Sequence, residues 1–102
     1  MSALVDDARK HGARFHAGGE RLGLEGYFVA PTVLTGAGDD VAIVAEEQFG
    51  PVLPILPYRE LDDAVGRANA TNYGLGASVW SADPEPAREV ANEVEAGTVW
   101  IN

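Results

Sequence analysis

Two adjacent carboxylates, Glu46 and Glu47, precede an aromatic ring and a turn in the run Glu46-Glu47-Gln48-Phe49-Gly50-Pro51-Val52. No other stretch of the chain gathers as many groups capable of chemistry. A carboxylate accepts more than one hydrogen bond, so it can hold the two hydroxyls of a ribose. A ring beside it can pack on a nicotinamide. The same residues also read as a solvated acidic turn with Phe49 anchored in the core, because Glu is rarely buried and Phe usually is. Residue types and spacing alone favour the solvated turn.

Other candidates are weaker. Gly74-Leu75-Gly76-Ala77-Ser78 has the glycines of a nucleotide loop in the wrong order. A dinucleotide fingerprint follows a strand and opens a helix, whereas these glycines follow a helix and open a strand. Turn geometry and close packing explain them better. Ser78 and Ser81 have no histidine nearby in sequence, so a nucleophilic triad is not supported. His11 and His16 read as exposed polar positions away from any metal-ligand spacing, and Glu93 and Glu95 as a solvated helix face. Trp80 and Trp100 fall in strand runs and read as core residues. Asn102 carries no chemistry of its own in this reading.

The elements that must position these groups follow from periodicity. Leu4, Val5 and Ala8 share one helical face, and Gly12 offers a stop. Ala13, Phe15 and Ala17 alternate with Arg14 and His16 as in a strand, which Gly18-Gly19 ends. A second extended run begins at Tyr27-Phe28-Val29 and reaches Leu34. Gly36 to Asp40 is a loop, and Val41 to Ala45 a short helical turn with Asp40 as its expected cap. Val52 to Tyr58 is a strand in which Pro54 and Pro57 demand an edge or a bulge. Leu61, Ala64, Val65 and Ala68 keep amphipathic helical spacing, closed by Asn72-Tyr73-Gly74. Leu75 to Ser81 is β-rich. Asp83 caps the next helix, with Pro84 at its first position. Ala87, Val90, Ala91 and Val94 line its inner face, and Gly97 supplies the expected stop. Thr98 to Ile101 is the last strand. From Val52 the order is strand, helix, strand, helix, strand, which favours right-handed crossovers and a parallel sheet. The fold class is therefore α/β, with a parallel-sheet βαβαβ unit. No linker or second domain is visible in residues 1–102.

Composition narrows the partners. The 102 residues are 46% hydrophobic and 23% charged, an ordinary globular balance. Sixteen Asp+Glu stand against seven Lys+Arg, for a formal net charge of −9. That disfavours nucleic acid and anionic membrane surfaces, which both require a basic face. The chain has no cysteine, so it can form no disulfide, thiolate metal site or cysteine nucleophile. No apolar run is long enough to span a membrane, and Met1 to Lys10 lacks the apolar core of a secretory signal. The expected compartment is the cytoplasm.

Four segments taken together resemble the NAD(P)-dependent aldehyde dehydrogenase superfamily. Glu46 to Val52 is similar to the family's E-E-x-F-G-P-V motif. Gly26-Tyr27-Phe28-Val29-Ala30-Pro31-Thr32-Val33-Leu34 resembles its G-x-F-x-x-P-T-V-L stretch. Ala68-Asn69 with Tyr73-Gly74-Leu75 resembles its A-N-x-x-x-Y-G-L segment, and Glu95 to Asn102 its E-A-G-T-V-W-I-N stretch. The match runs in order over almost the whole chain and falls in the later part of the family's catalytic domain. It implies that Glu47 holds the nicotinamide-side ribose of NAD or NADP and that Phe49 packs near the nicotinamide. Glu46, Gln48 and the Gly50-Pro51 turn carry over as scaffold.

In the family a cysteine thiolate attacks the aldehyde, a hydride passes to NAD(P)+, and a glutamate base helps water release the acid. The resemblance places that cysteine, that glutamate and the nucleotide-binding domain upstream of this stretch. It thus implies a partial catalytic domain with no catalytic residue of its own, inactive by itself, with a small-molecule aldehyde as substrate of the complete, usually homo-oligomeric enzyme. Strands whose partners lie upstream leave an open sheet edge, so the isolated chain is expected to be marginally folded or self-associating. Two other readings are a non-catalytic α/β interaction or binding module, and a small flavodoxin-like acidic domain. The second fits the βαβαβ order but leaves the four segments unexplained.

Overall fold

Helix α1 (Ser2–Lys10) buries Val5 and Ala8 on one face and carries Arg9 and Lys10 in its last turn, where cations suit the helix dipole. Gly12, at φ 82°, then reverses the chain. Its N–H donates to Arg9 O at 3.1 Å, and Ala13 N–H donates to Ala8 O at 3.0 Å. This is the paired helix-ending geometry that a left-handed glycine permits, so the expected stop lies where the sequence placed it. These details come from a computed structural model that describes all of residues 1–102.

The elements that follow are β1 (Arg14–Ala17), β2 (Thr32–Thr35), α2 (Ala42–Ala45), β3 (Val52–Ile55), α3 (Leu61–Asn69), β4 (Ala77–Val79), α4 (Pro84–Glu93) and β5 (Val99–Ile101). The fold is mixed α/β with parallel strand pairs. No helix is long and apolar enough to cross a membrane. The chain divides into two compact units, Met1–Pro57 and Tyr58–Asn102.

Met1–Pro57 is built on a three-stranded sheet in the order β1-β2-β3. β1 runs antiparallel to β2, with an irregularity between Phe15 and Ala17, and β2 runs parallel to β3 with Thr32 opposite Val52 and Leu34 opposite Pro54. The central strand alternates as a half-buried strand must. Thr32 and Leu34 are buried, while Val33 and Thr35 are partly covered. Leu34 packs with Val5, Ala8, Val41, Ile43 and Val52 in one core. Pro54 lies in an outer strand of this sheet, as its missing N–H requires.

Tyr58–Asn102 is a two-stranded parallel sheet, β4 beside β5, connected by α4. Asp83 Oδ1 accepts from Glu85 N–H at 3.1 Å and Pro84 opens the helix, both as expected. Ala87 is buried, and Val90, Ala91 and Val94 are half-buried.

Five expectations change. The strand–helix order after Val52 holds, but β3 and β4 belong to different sheets; β3 is taken up by β2, which precedes it in the chain. The run from Tyr27 to Leu34 is not one strand. Val29 makes an isolated bridge to Arg21, and the ladder starts only at Thr32, after Pro31, which has no N–H to give. Asp40 does not cap α2; the cap position is Val41, with no side-chain bond, and the helix start is set by burying Val41 and Ile43. Neither Gly97 nor Asn72-Tyr73-Gly74 ends its helix, because α4 stops at Glu93 and α3 at Asn69. Trp80 and Trp100 are exposed, not core.

Candidate cofactor-binding site

The segment after α2 is held at both ends. Glu46 is extended at φ −109°, ψ 146°, and its N–H closes the helix on Ala42 O at 2.9 Å. On the far side Thr32 N–H donates to Pro51 O at 2.8 Å, and Val52 N–H reaches Gly50 O at 2.8 Å. Between them the Gln48 amide donates to Val52 O at 2.9 Å and pins the loop to the start of β3. A Cβ at Gly50 would meet Met1 Cε, the flexible end of a side chain that can move aside.

The residues between these ties face solvent. Glu47 is exposed and no hydrogen bond or ion pair engages it. Phe49 is 90% exposed. That removes the reading in which Phe49 anchors the turn in the core. A large ring left in water on a pinned backbone has no packing role inside this chain, and an unpartnered carboxylate two residues earlier has both oxygens available. The pair therefore fits what a ribose and a nicotinamide need. Gln48 is tied by its side chain to Val52 O, and Glu46 by its backbone N–H to Ala42 O.

Sequence reasoning missed what lies beside Phe49. A cleft of about 530 Å³ opens there, bordered by Arg21, Tyr27, Phe28, Phe49 and Pro51. Its wall is a hairpin formed by residues 20–30, with Leu22 N–H on Phe28 O and Ala30 N–H on Glu20 O, both at 3.3 Å. The hairpin is tied to the sheet by one buried hydroxyl. Thr32 Oγ1 donates to Ala30 O at 2.9 Å and accepts from Gly19 N–H at 2.8 Å. Gly18, at φ 64°, allows that approach, since a side chain there would meet Pro31 O and Thr32 Oγ1. A signal was present: two aromatics between Gly26 and Pro31 in a run with no strand alternation.

The remaining candidates are structural. His11 and His16 are exposed; the His16 ring meets Thr35 Oγ1 at 2.8 Å. Gly74 N–H is not involved, but Gly74 O accepts from Gly97 N–H at 2.8 Å, and a side chain at Gly76 would meet the Trp100 ring at 2.9 Å. Close packing thus accounts for both glycines, as expected. The Asn69 amide donates to Glu93 O at 2.8 Å and accepts from Glu95 N–H at 2.9 Å, tying the end of α3 to the end of α4. Asn102 does more than the sequence suggested: its side chain accepts from Ser81 N–H at 2.9 Å and donates to Ser81 O at 3.0 Å.

The family model described as the aldehyde dehydrogenase family matches residues 1–102. The chain belongs to this family. It is 46% identical over 99 residues to aldehyde dehydrogenase 1A1 of Mesocricetus auratus, covering 97% of this chain and 20% of that protein. It is 44% identical to an aldehyde dehydrogenase of Agaricus bisporus, covering all of this chain and again 20% of the relative. Among solved structures, the aldehyde dehydrogenase of Bacillus cereus in its NAD+ complex superposes with a TM-score of 0.92 at 46% identity, over 98% of this chain and 20% of that one. The chain thus spans about a fifth of the length of the relatives it matches.

Proposed function

We propose that residues 1–102 are part of the catalytic domain of an NAD(P)-dependent aldehyde dehydrogenase that oxidises an aldehyde to a carboxylic acid, and that this stretch supplies one wall of the cofactor site. Glu47 accepts hydrogen bonds from the nicotinamide ribose, and Phe49 packs against the nicotinamide. The bound cofactor supplies hydride acceptance; this chain's residues hold and orient it. With no cysteine in its 102 residues, the stretch is inactive unless joined to the rest of such an enzyme. The single supporting observation is the exposure of Glu47 and Phe49 on a backbone pinned at both ends. The NAD+ complex of the Bacillus cereus relative and the name of a Mus musculus relative, aldehyde dehydrogenase, cytosolic 1, are consistent with a cytoplasmic NAD(P)+ enzyme.

The test is a chimera in which residues 1–102 replace the matched segment of the Bacillus cereus enzyme. Glu47→Gln is expected to raise the KM for NAD+ roughly tenfold, about the loss of one charge-assisted hydrogen bond, with the aldehyde KM nearly unchanged. An unaltered cofactor KM in both Glu47→Gln and Phe49→Ala overturns the assignment. The second reading, a non-catalytic interaction module, draws on the exposed Leu75, Trp80 and Trp100 of Tyr58–Asn102; it leaves Glu47 and Phe49 without a role.

A further inference from the structure

We infer that Gln48 is a positioning residue for the cofactor: its side-chain amide keeps Glu47 and Phe49 turned to one side of their loop, and so sets how tightly the nicotinamide half is held. The inference rests on the cofactor reading above and deepens it. It concerns the position that the E-E-x-F-G-P-V motif leaves open, where this chain has an amide. That amide donates to Val52 O at 2.9 Å. Pro51 O accepts from Thr32 N–H at 2.8 Å, so it faces β2. Successive carbonyls along a strand point to opposite sides. Val52 O, one residue on, therefore faces away from β2 and is open to a side chain. Gln48 is half-buried in making this bond, while Glu47 before it and Phe49 after it are exposed. Residues 47–49 have neither helical nor turn backbone, and in extended chain the two neighbours of an inward residue point outward together. The carboxylate and the ring share one face because Gln48 is tied down on the other.

Without that bond the loop is tied near its ends only, by Glu46 N–H on Ala42 O and by Thr32 N–H on Pro51 O. Gly50 adds backbone freedom between them. A ligand that needs both the carboxylate and the ring would then have to order the loop as it binds, and ordering costs affinity. An amide bonded in advance removes that cost. The effect depends on a donor at the right reach. Methionine has the length of glutamine but no N–H, and asparagine keeps the amide but is one methylene short.

The experiment uses the Bacillus cereus chimera, as Gln48→Met and Gln48→Asn, each alone and on a Glu47→Gln/Phe49→Ala background. Losing one neutral hydrogen bond predicts a rise of roughly fivefold in the KM for NAD+, with kcat at saturating NAD+ and the aldehyde KM nearly unchanged. On the double background neither substitution should raise the NAD+ KM further, because the groups that Gln48 positions are gone. Amide exchange, read by mass spectrometry without cofactor, should quicken over residues 46–52 and stay unchanged over residues 2–10. A rise that persists on the double background, or an aldehyde KM that rises equally, marks general destabilisation and overturns the proposal. Unchanged exchange and unchanged NAD+ KM in both variants also overturn it; a raised KM in Glu47→Gln then leaves the cofactor reading standing. If Glu47→Gln and Phe49→Ala are silent while exchange over residues 46–52 still quickens in Gln48→Met, the cofactor reading has failed and the proposal falls with it.

Discussion

Seven of the eight buried hydrophobic side chains belong to Met1–Pro57, and one, Ala87, belongs to Tyr58–Asn102. The first unit is held by apolar burial around Leu34. The second has two short strands, a well-capped helix and a set of amide clamps: Asn69 joining α3 to α4, Asn102 embracing Ser81, and Gly97 on Gly74. The difference shows that two pieces of one chain can reach similar secondary structure by different means. Burial is non-directional and tolerant of small shifts, whereas clamps are directional and fail singly. The candidate site sits on the well-buried unit, where a pinned loop can carry an exposed ring and carboxylate.

The largest test of this contrast is Leu34→Ala. Emptying the centre of the core is expected to cost about 3 kcal/mol, read by denaturant unfolding. Amide protection should fall throughout β1 to β3; a loss under 1 kcal/mol, about the effect of a surface change, would refute a burial-held unit. Gly12→Ala comes next, at about 1–2 kcal/mol for forcing an L residue to positive φ, seen as a lower thermal midpoint with α1 frayed in circular dichroism. Asn69→Ala removes two hydrogen bonds at an exposed position and is expected to cost about 1 kcal/mol. Its signature is faster exchange at the Glu95 amide, with the Leu34 amide unmoved. If Leu34 and Glu95 respond together, the two kinds of stabilisation are not separable. The smallest effect is expected for Arg88→Ala. It breaks the 2.8 Å pair with Glu85, but both side chains are exposed. The change should stay below about 0.5 kcal/mol and vanish in high salt.

Much of this was legible in the sequence for physical reasons. Periodicity reports which face of an element is apolar, so α1, α3 and α4 were readable, and Gly12, Asp83 and Pro84 act through local backbone chemistry that needs no partner. What periodicity cannot report is the partner itself. Val52 to Ile55 read as a strand, yet nothing in it says that β2 is its neighbour and β4 is not. Trp80 and Trp100 were expected in the core because large rings are usually covered, but covering depends on surfaces distant in sequence. Glu47 and Phe49 were singled out from residue types and assigned roles only by the family resemblance. Arg21 went unnamed, and Tyr27 and Phe28 were read as the start of a strand, because a hairpin with one isolated bridge leaves no alternation to detect.

The helix ending at Gly12 has a kinetic consequence. Its two closing bonds span Ala8 to Ala13 and Arg9 to Gly12, so closing that corner costs little chain entropy. The parallel pairing of β2 with β3 must instead wait for Gly36 to Pro51 to be looped out, a slower event. We expect the α1–β1 corner to form early on the folding path and the strand leading out of the Glu47–Phe49 loop to dock late. In stopped-flow refolding, Gly12→Ala should then slow folding, while Val52→Ala should mainly hasten unfolding.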